Sequence, residues 1–113
     1  RDVVLTLVDV YAQRFELGEL AFLDALLLDR TCYIHVAGHY VEPDGFLVDT
    51  HGADVIDPVW SLLDAAYARV GAVPTCIERD FNIPPLAELA KEVERAASMM
   101  RHHDGAAQRK AAP

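Results

Sequence analysis

Histidine and carboxylate side chains are concentrated where apolar segments of the chain end. His35 lies near the end of the segment TCYIHV, and Glu78 ends the segment PTCIE. Asp49 and His51 form an Asp-x-His pair in a stretch that is predicted to be extended. Imidazole favours zinc, copper, iron or nickel, and carboxylates add hard oxygen ligands. These residue types indicate a site for a divalent metal ion, provided that the fold brings the four side chains together.

Strand-like and helix-like segments alternate along the chain and must position these side chains. The runs VVLTLV, TCYIHV and PTCIE are apolar and contain β-branched residues, which predicts three strands. Asp57 and Gly71 are the expected caps at the two ends of one helix, and the segment EPDG predicts a loop. Apolar residues recur at helical spacing in three segments, which are residues 19–28, 58–70 and 86–97.

This alternation predicts an α/β fold with parallel strands and right-handed crossovers. It suits a small α/β layer or a portion of a (β/α)₈ barrel, which needs about 250 residues. In both architectures, ligands gather at the carboxyl ends of the strands. Because side chains two apart on a strand share a face, Tyr33 should point with His35, and Cys76 with Glu78. The candidate metal ligands are therefore expected at one rim of the sheet.

The extent of the folded unit follows from the distribution of apolar residues. We assign residues 1–100 to a partial barrel domain and residues 101–113, which are small and polar, to a flexible C-terminal tail. The chain begins at Arg1 and not at a methionine, so we expect it to be a piece of a longer protein.

Bulk composition narrows the class of function. The chain has 113 residues and a net charge of −8, which argues against nucleic acid or an anionic membrane as partner. Its apolar runs are shorter than the roughly 20 residues that span a bilayer, and its first residues do not resemble a signal peptide. The 2 cysteines form no disulfide framework. We therefore expect a cytoplasmic protein.

Each candidate ligand also has a structural interpretation. His35 could be a hydrogen-bonded loop residue, and Glu78 could pair with Arg79. His39 could support a ligand, bind a second metal ion or contact the backbone. Asp80 could orient a ligand or cap a loop. The common position at the end of successive β segments favours metal binding over these alternatives.

Four successive motifs give the chain a resemblance to a known family. YIHVAGH, LVDTHG, DPVW and PTCIERDFNIPP resemble the C-terminal part of the multinuclear non-haem iron-dependent oxidative enzymes, whose best-known type is the methanobactin-maturing oxidase. The resemblance runs from about Leu20 to Ala97. It implies a xylose-isomerase-like (β/α)₈ TIM barrel with two or three irons at its carboxyl rim. It also implies the oxidation of cysteine residues in ribosomally made peptides, with a small partner protein that presents the peptide.

The resemblance assigns roles to individual residues. His35 matches the first histidine of the family's His-x-Ala-Gly-His motif, and Glu78 matches the glutamate that ends the last strand. Asp49 and His51 match the Asp-Thr-His ligands. His39 and Asp80 also match family positions, with supporting roles or as ligands of a second metal ion. Asp9 stands where the family usually has an asparagine, and it could still bind metal.

The resemblance predicts the C-terminal portion of an iron-dependent oxidase. Because the first half of the barrel should bring further histidines and a glutamate, we expect this chain to be inactive alone. Two alternatives stay open. One is another metal-dependent barrel enzyme, such as a sugar isomerase or an endonuclease-like hydrolase with zinc or manganese. The other is a non-catalytic truncated domain that self-associates.

Overall fold

The computed structural model of the chain describes residues 3–7, 30–45, 47–48 and 50–111. The described part combines a parallel sheet with helices, which confirms the predicted α/β class. The predicted helix in residues 19–28 lies outside the described residues, as do Asp9 and Asp49. The elements are β1 (Val3–Leu7), β2 (Thr31–Ala37), β3 (Tyr40–Val41), β4 (Leu47–Val48), α1 (Asp57–Val70), β5 (Thr75–Glu78) and α2 (Leu86–Ala111).

Strands β1, β2 and β5 form a parallel sheet with β2 in the centre. The register places His35 beside Cys76 and Ala37 beside Glu78. The carboxyl ends of β2 and β5 therefore lie side by side, as the sequence predicts. Since parallel strands need a crossover between them, helix α1 carries the chain from the end of the β4 region back to the start of β5.

The core lies between one face of β2 and helix α1. Ile34 and Val36 are fully buried on that face of the strand. From α1, Leu63 and Tyr67 pack into the same cluster, which Ile77 of β5 also contacts. The residues of β2 that alternate with Ile34 and Val36 face the opposite side of the sheet, so the core and the candidate ligands occupy different faces.

Helix α1 begins one residue earlier than predicted. Its N-cap is Ile56, which is extended (φ −84°, ψ 159°) and makes no side-chain capping bond, so the prediction of Asp57 as N-cap is wrong. Asp57 lies in the first turn, where its charge suits the helix dipole. Gly71 ends the helix as predicted, with φ 88° and its N–H donating to the carbonyl of Tyr67 at 2.9 Å.

The predicted loop after β2 contains a short antiparallel hairpin. Tyr40 pairs with Val48, and Val41 pairs with Leu47. The connecting turn has proline at its second position and Gly45 at its fourth, with the Gly45 N–H donating to the carbonyl of Glu42 at 2.8 Å. This hairpin sets the path by which the chain reaches His51.

Helix α2 continues into the segment that the sequence assigns to a flexible tail. Residues 101–111 are helical, and alanine, arginine, lysine and glutamine are strong helix formers. Within that segment, Nε2 of His103 lies 2.8 Å from Oδ1 of Asp64, and its ring contacts Tyr67 of α1. The domain division at residue 100 stays a prediction. None of the described helices combines the length and apolar character that crossing a membrane requires.

Candidate metal centre

Four potential ligand side chains converge at the carboxyl end of the parallel sheet. The ligand atoms of His51, Glu78 and Asp80 all lie within 4.8 Å of one another. Nδ1 of His51 is 3.3 Å from Oε1 of Glu78 and 3.1 Å from Oδ2 of Asp80. On the other side of the carboxylate, Nδ1 of His35 is 3.0 Å from Oε2 of Glu78.

The structure thus brings together three of the four ligands chosen from the sequence. The fourth, Asp49, lies outside the described residues. Asp80, chosen only as a supporting residue, lies inside the cluster. The spacing Glu-x-Asp contains the signal for this position, because residues two apart in an extended segment share a face. His39 is buried, with 5% of its surface exposed, and is not part of the described group of three. Metal binding by these residues stays a prediction.

His51 has a left-handed backbone conformation that aims its imidazole at the cluster. Its φ is 55°, and Asn82 in the facing loop has φ 51°. A left-handed conformation costs a non-glycine residue roughly 1–2 kcal/mol, so surrounding contacts must maintain it. The N–H of Asp80 donates to the carbonyl of His51 at 2.8 Å, and Nδ2 of Asn82 donates to the carbonyl of Gly52 at 3.1 Å. These bonds join the two ligand-bearing loops.

Two glycines allow the loops to approach closely. A Cβ atom on Gly52 would lie 2.4 Å from ring atoms of Phe81, in the loop after β5. A Cβ on Gly38, just after β2, would lie 2.1 Å from the carbonyl oxygen of Ala53 and 2.4 Å from that of Asp54. The segment 50–54 therefore fits tightly between the end of β2 and the loop after β5.

Tyr33 adds a hydroxyl group to the face of the sheet that carries the cluster. Its ring meets the edge of the His35 ring, with centroids 5.0 Å apart. Partial burial, followed by the effects of Cys76 and Glu78, raises the pKa of the Tyr33 hydroxyl. The hydroxyl group therefore stays protonated at neutral pH and is a hydrogen-bond donor on this face. Its interaction with Cys76 agrees with the predicted common face of these residues.

The donor atoms have the chemistry and spacing of a metal-binding site. Donors held about 2.1 Å from one ion are about 3.0 Å apart in octahedral geometry and about 3.4 Å apart in tetrahedral geometry. The distances of 3.1 Å and 3.3 Å from Nδ1 of His51 fall within this range. Nδ1 of His51 and Oδ2 of Asp80 are also at hydrogen-bond distance, and the three donor atoms lie within 4.8 Å of one another. The residues present therefore fit a divalent cation.

Comparison with known proteins gives one family for most of the chain. Residues 2–101 match the family model described as RiPP precursor modification enzyme MbnB/TglH/ChrH.

Individual relatives carry only an uncharacterised family name. A UPF0276 protein of Nitrosospira multiformis is 55% identical over 82 residues, which are 73% of this chain and 29% of that protein. A UPF0276 protein of Shewanella amazonensis is 57% identical over 75 residues, or 66% of this chain and 27% of that protein. A UPF0276 protein of Neisseria meningitidis serogroup C is 55% identical over 78 residues, or 68% of this chain and 28% of that protein. The chain thus spans less than a third of the length of these relatives.

Proposed function

Because the chain belongs to the MbnB/TglH/ChrH family of RiPP precursor modification enzymes, we propose that it is the C-terminal part of a metal-dependent oxidase. Its substrates are cysteine residues of ribosomally made peptides. The convergence of His51, Glu78 and Asp80 at the carboxyl end of a parallel sheet carries this proposal. We propose iron as the metal, with zinc or manganese as alternatives, because two imidazoles and carboxylates with open positions suit non-haem iron. The match to this family does not favour the alternatives of a sugar isomerase or an endonuclease-like hydrolase.

The complete protein is proposed to form a (β/α)₈ barrel. In a barrel, helices cover the outer face of the parallel strands, and ligands bind at the carboxyl rim. The described strands fit this arrangement, since α1 packs on one face and the cluster lies at the carboxyl end. The side chains of His35 and Glu78 remain 32% and 27% exposed, as expected if further strands of a longer protein complete the inner face.

Glu78 is proposed to hold metal together with both histidines. Its Oε2 faces His35, while its Oε1 faces His51. Each oxygen of this carboxylate would thus be available to metal beside a different imidazole, and Asp80 lies beside His51. Asp49 is retained as a proposed ligand, and the remaining ligands would come from the rest of the longer protein.

The side chains of the chain have distinct roles in this proposal. Bound iron would supply redox chemistry with dioxygen and a binding position for a substrate thiolate. His35 and His51 would present unprotonated nitrogens, which metal binding requires. Asp80 has a side chain that is 57% exposed, so it marks the open side from which a peptide would approach. The protonated hydroxyl of Tyr33 would donate a hydrogen bond on the same face.

A peptide substrate is what the family suggests, and a presenting partner protein is a further proposal. A precursor peptide is the proposed substrate, and a small protein that presents it is the proposed partner. Self-association of the chain and a cytoplasmic location stay predictions. Light scattering of the protein with and without a candidate partner would measure both kinds of assembly.

Metal analysis combined with a peptide assay tests the proposed function. The complete longer protein, purified without oxygen and loaded with Fe(II), should consume dioxygen and change the mass of a cysteine-containing precursor peptide, whereas this chain alone should do neither. His51→Ala should lose bound iron and both activities. Full turnover by a sample stripped with EDTA would overturn the proposal of a metal-dependent enzyme, and turnover supported by zinc and not by iron would overturn the choice of iron.

A further inference from the structure

We propose that Arg79 and Asp54 form a clamp that positions the metal ligands, an inference that rests on the proposed metal-binding function. Nη1 and Nη2 of Arg79 both lie 3.0 Å from Oδ1 of Asp54. The Arg79 side chain is only 9% exposed, whereas that of Asp54 is 81% exposed. Among the described residues, Nε of Arg79 has no hydrogen-bond partner. Within the described part of the chain, the guanidinium of Arg79 therefore depends on the carboxylate of Asp54 for its hydrogen bonds.

The clamp joins the two segments that supply the ligands. Arg79 lies between Glu78 and Asp80 in the sequence, and Asp54 lies three residues after His51. Apart from the contacts of His51 with Glu78 and Asp80, two described hydrogen bonds link the segments, and both are made to backbone carbonyls, from Asp80 N–H and Asn82 Nδ2. The Arg79–Asp54 contact is a charged pair, and charge-assisted hydrogen bonds are roughly twice as strong as neutral ones.

Val55, the residue after Asp54, is held by hydrogen bonds to both helices. The N–H of Val55 donates to Oε2 of Glu92 in α2 at 2.8 Å. Nε1 of Trp60 in α1 donates to the carbonyl of Val55 at 3.1 Å. Both helices thus fix the chain directly after Asp54. The clamp therefore extends this fixed region to the end of β5, and His51 lies on the short stretch between them.

The left-handed backbone of His51 is the element that the clamp maintains. With φ 55°, this residue would relax toward a more common conformation if segment 50–54 moved away from β5. Such relaxation would withdraw Nδ1 from Glu78 and Asp80. Groups that orient metal ligands typically contribute about 10–100-fold to metal affinity, so we expect about a tenfold loss when the clamp is broken.

Metal titration of matched variants tests the clamp. Asp54→Asn keeps the shape of the side chain and removes its charge. Asp57→Asn is the control, because Asp57 also pairs with an arginine, Arg95, at 3.3 Å, in a contact that joins α1 to α2. Co(II) is added to each protein without oxygen, and the dissociation constant and the visible ligand-field spectrum are measured. Circular dichroism records thermal unfolding of the metal-free forms.

The clamp predicts a specific order of affinities. Asp54→Asn should bind Co(II) about tenfold more weakly with an altered spectrum, while Asp57→Asn should match the unmodified protein. Arg79→Lys should fall between them, since an ammonium makes one point contact in place of two. If Asp54→Asn is unfolded, the Arg79→Lys affinity and spectrum decide the question.

The clamp and the proposed function fail in different ways. If the unmodified protein binds Co(II), His51→Ala loses it, and Asp54→Asn or Arg79→Lys binds normally, the clamp is refuted and the metal site stands. Equal weakening by Asp54→Asn and Asp57→Asn would also refute the clamp. If the unmodified protein and His51→Ala bind Co(II) equally weakly, the metal site itself is refuted.

Discussion

Gly38→Ala should abolish metal binding by displacing the loop that carries His51. The added Cβ would lie 2.1 Å from the carbonyl oxygen of Ala53, whereas a carbon–oxygen contact is ordinarily about 3.3 Å. The neighbouring atoms belong to the backbone, so no side-chain rotation relieves the contact. The segment must therefore move by about 1.2 Å. Metal–ligand distances tolerate only about 0.2 Å, so the displacement exceeds what the site accommodates.

Gly45→Ala is the matched control for this prediction. Its Cβ would have no atom within 4 Å, but its φ of 90° makes alanine unfavourable there. This variant should lose roughly 1–2 kcal/mol of stability through backbone strain and keep its affinity for Co(II). Titration with Co(II), combined with thermal unfolding, separates the two effects. Gly38→Ala with unchanged affinity would show that segment 50–54 does not set the ligand geometry.

Three further changes have expected outcomes. Glu78→Gln should reduce the amount of bound iron per chain, measured by elemental analysis. An unchanged amount would contradict the proposed role of Glu78 as a metal ligand, and Glu94→Gln in α2 is the control. Leu63→Ala removes a fully buried side chain and should lower the free energy of unfolding, measured by urea denaturation, by about 2–5 kcal/mol. A loss below about 1 kcal/mol would mean that the surrounding side chains collapse into the cavity. Burial raises the pKa of Tyr67 above 10.0, so the folded form retains the proton and stability should fall as pH rises above about 10. Tyr67→Phe should lessen this decline, and an equal decline in both proteins would contradict the assignment.

The sequence predicts the described architecture well because its signals are local. Strands β2 and β5 follow from short β-branched apolar runs, and α1 follows from apolar residues at helical spacing that end at Gly71. The N-cap differs by one residue because Ile56 adopts the cap conformation without a side-chain bond. The hairpin β3–β4 is not predicted, since each of its strands has only 2 residues and gives too short a pattern.

The candidate site is predicted in part for a related reason. His35 and Glu78 are recognisable because each lies near the end of an apolar strand, and parallel strands end at a common edge. Asp80 has a second interpretation as a loop cap, and only its distance of 3.1 Å from Nδ1 of His51 places it in the cluster. The sequence likewise does not predict the pairing of Arg79 with Asp54, because the two residues are 25 positions apart.

The order of residues by itself determines the α/β class, the face of each strand and the kinds of atom available at the rim. These properties depend on periodicity and side-chain chemistry, which act over a few neighbouring residues. Tertiary structure alone decides that the loop after β4 turns His51 toward Glu78 and Asp80. That outcome depends on a left-handed backbone, close approach at Gly38 and Gly52, and a pairing between distant residues. Such contacts arise only when separate segments pack against one another, because no local pattern encodes the distance between them.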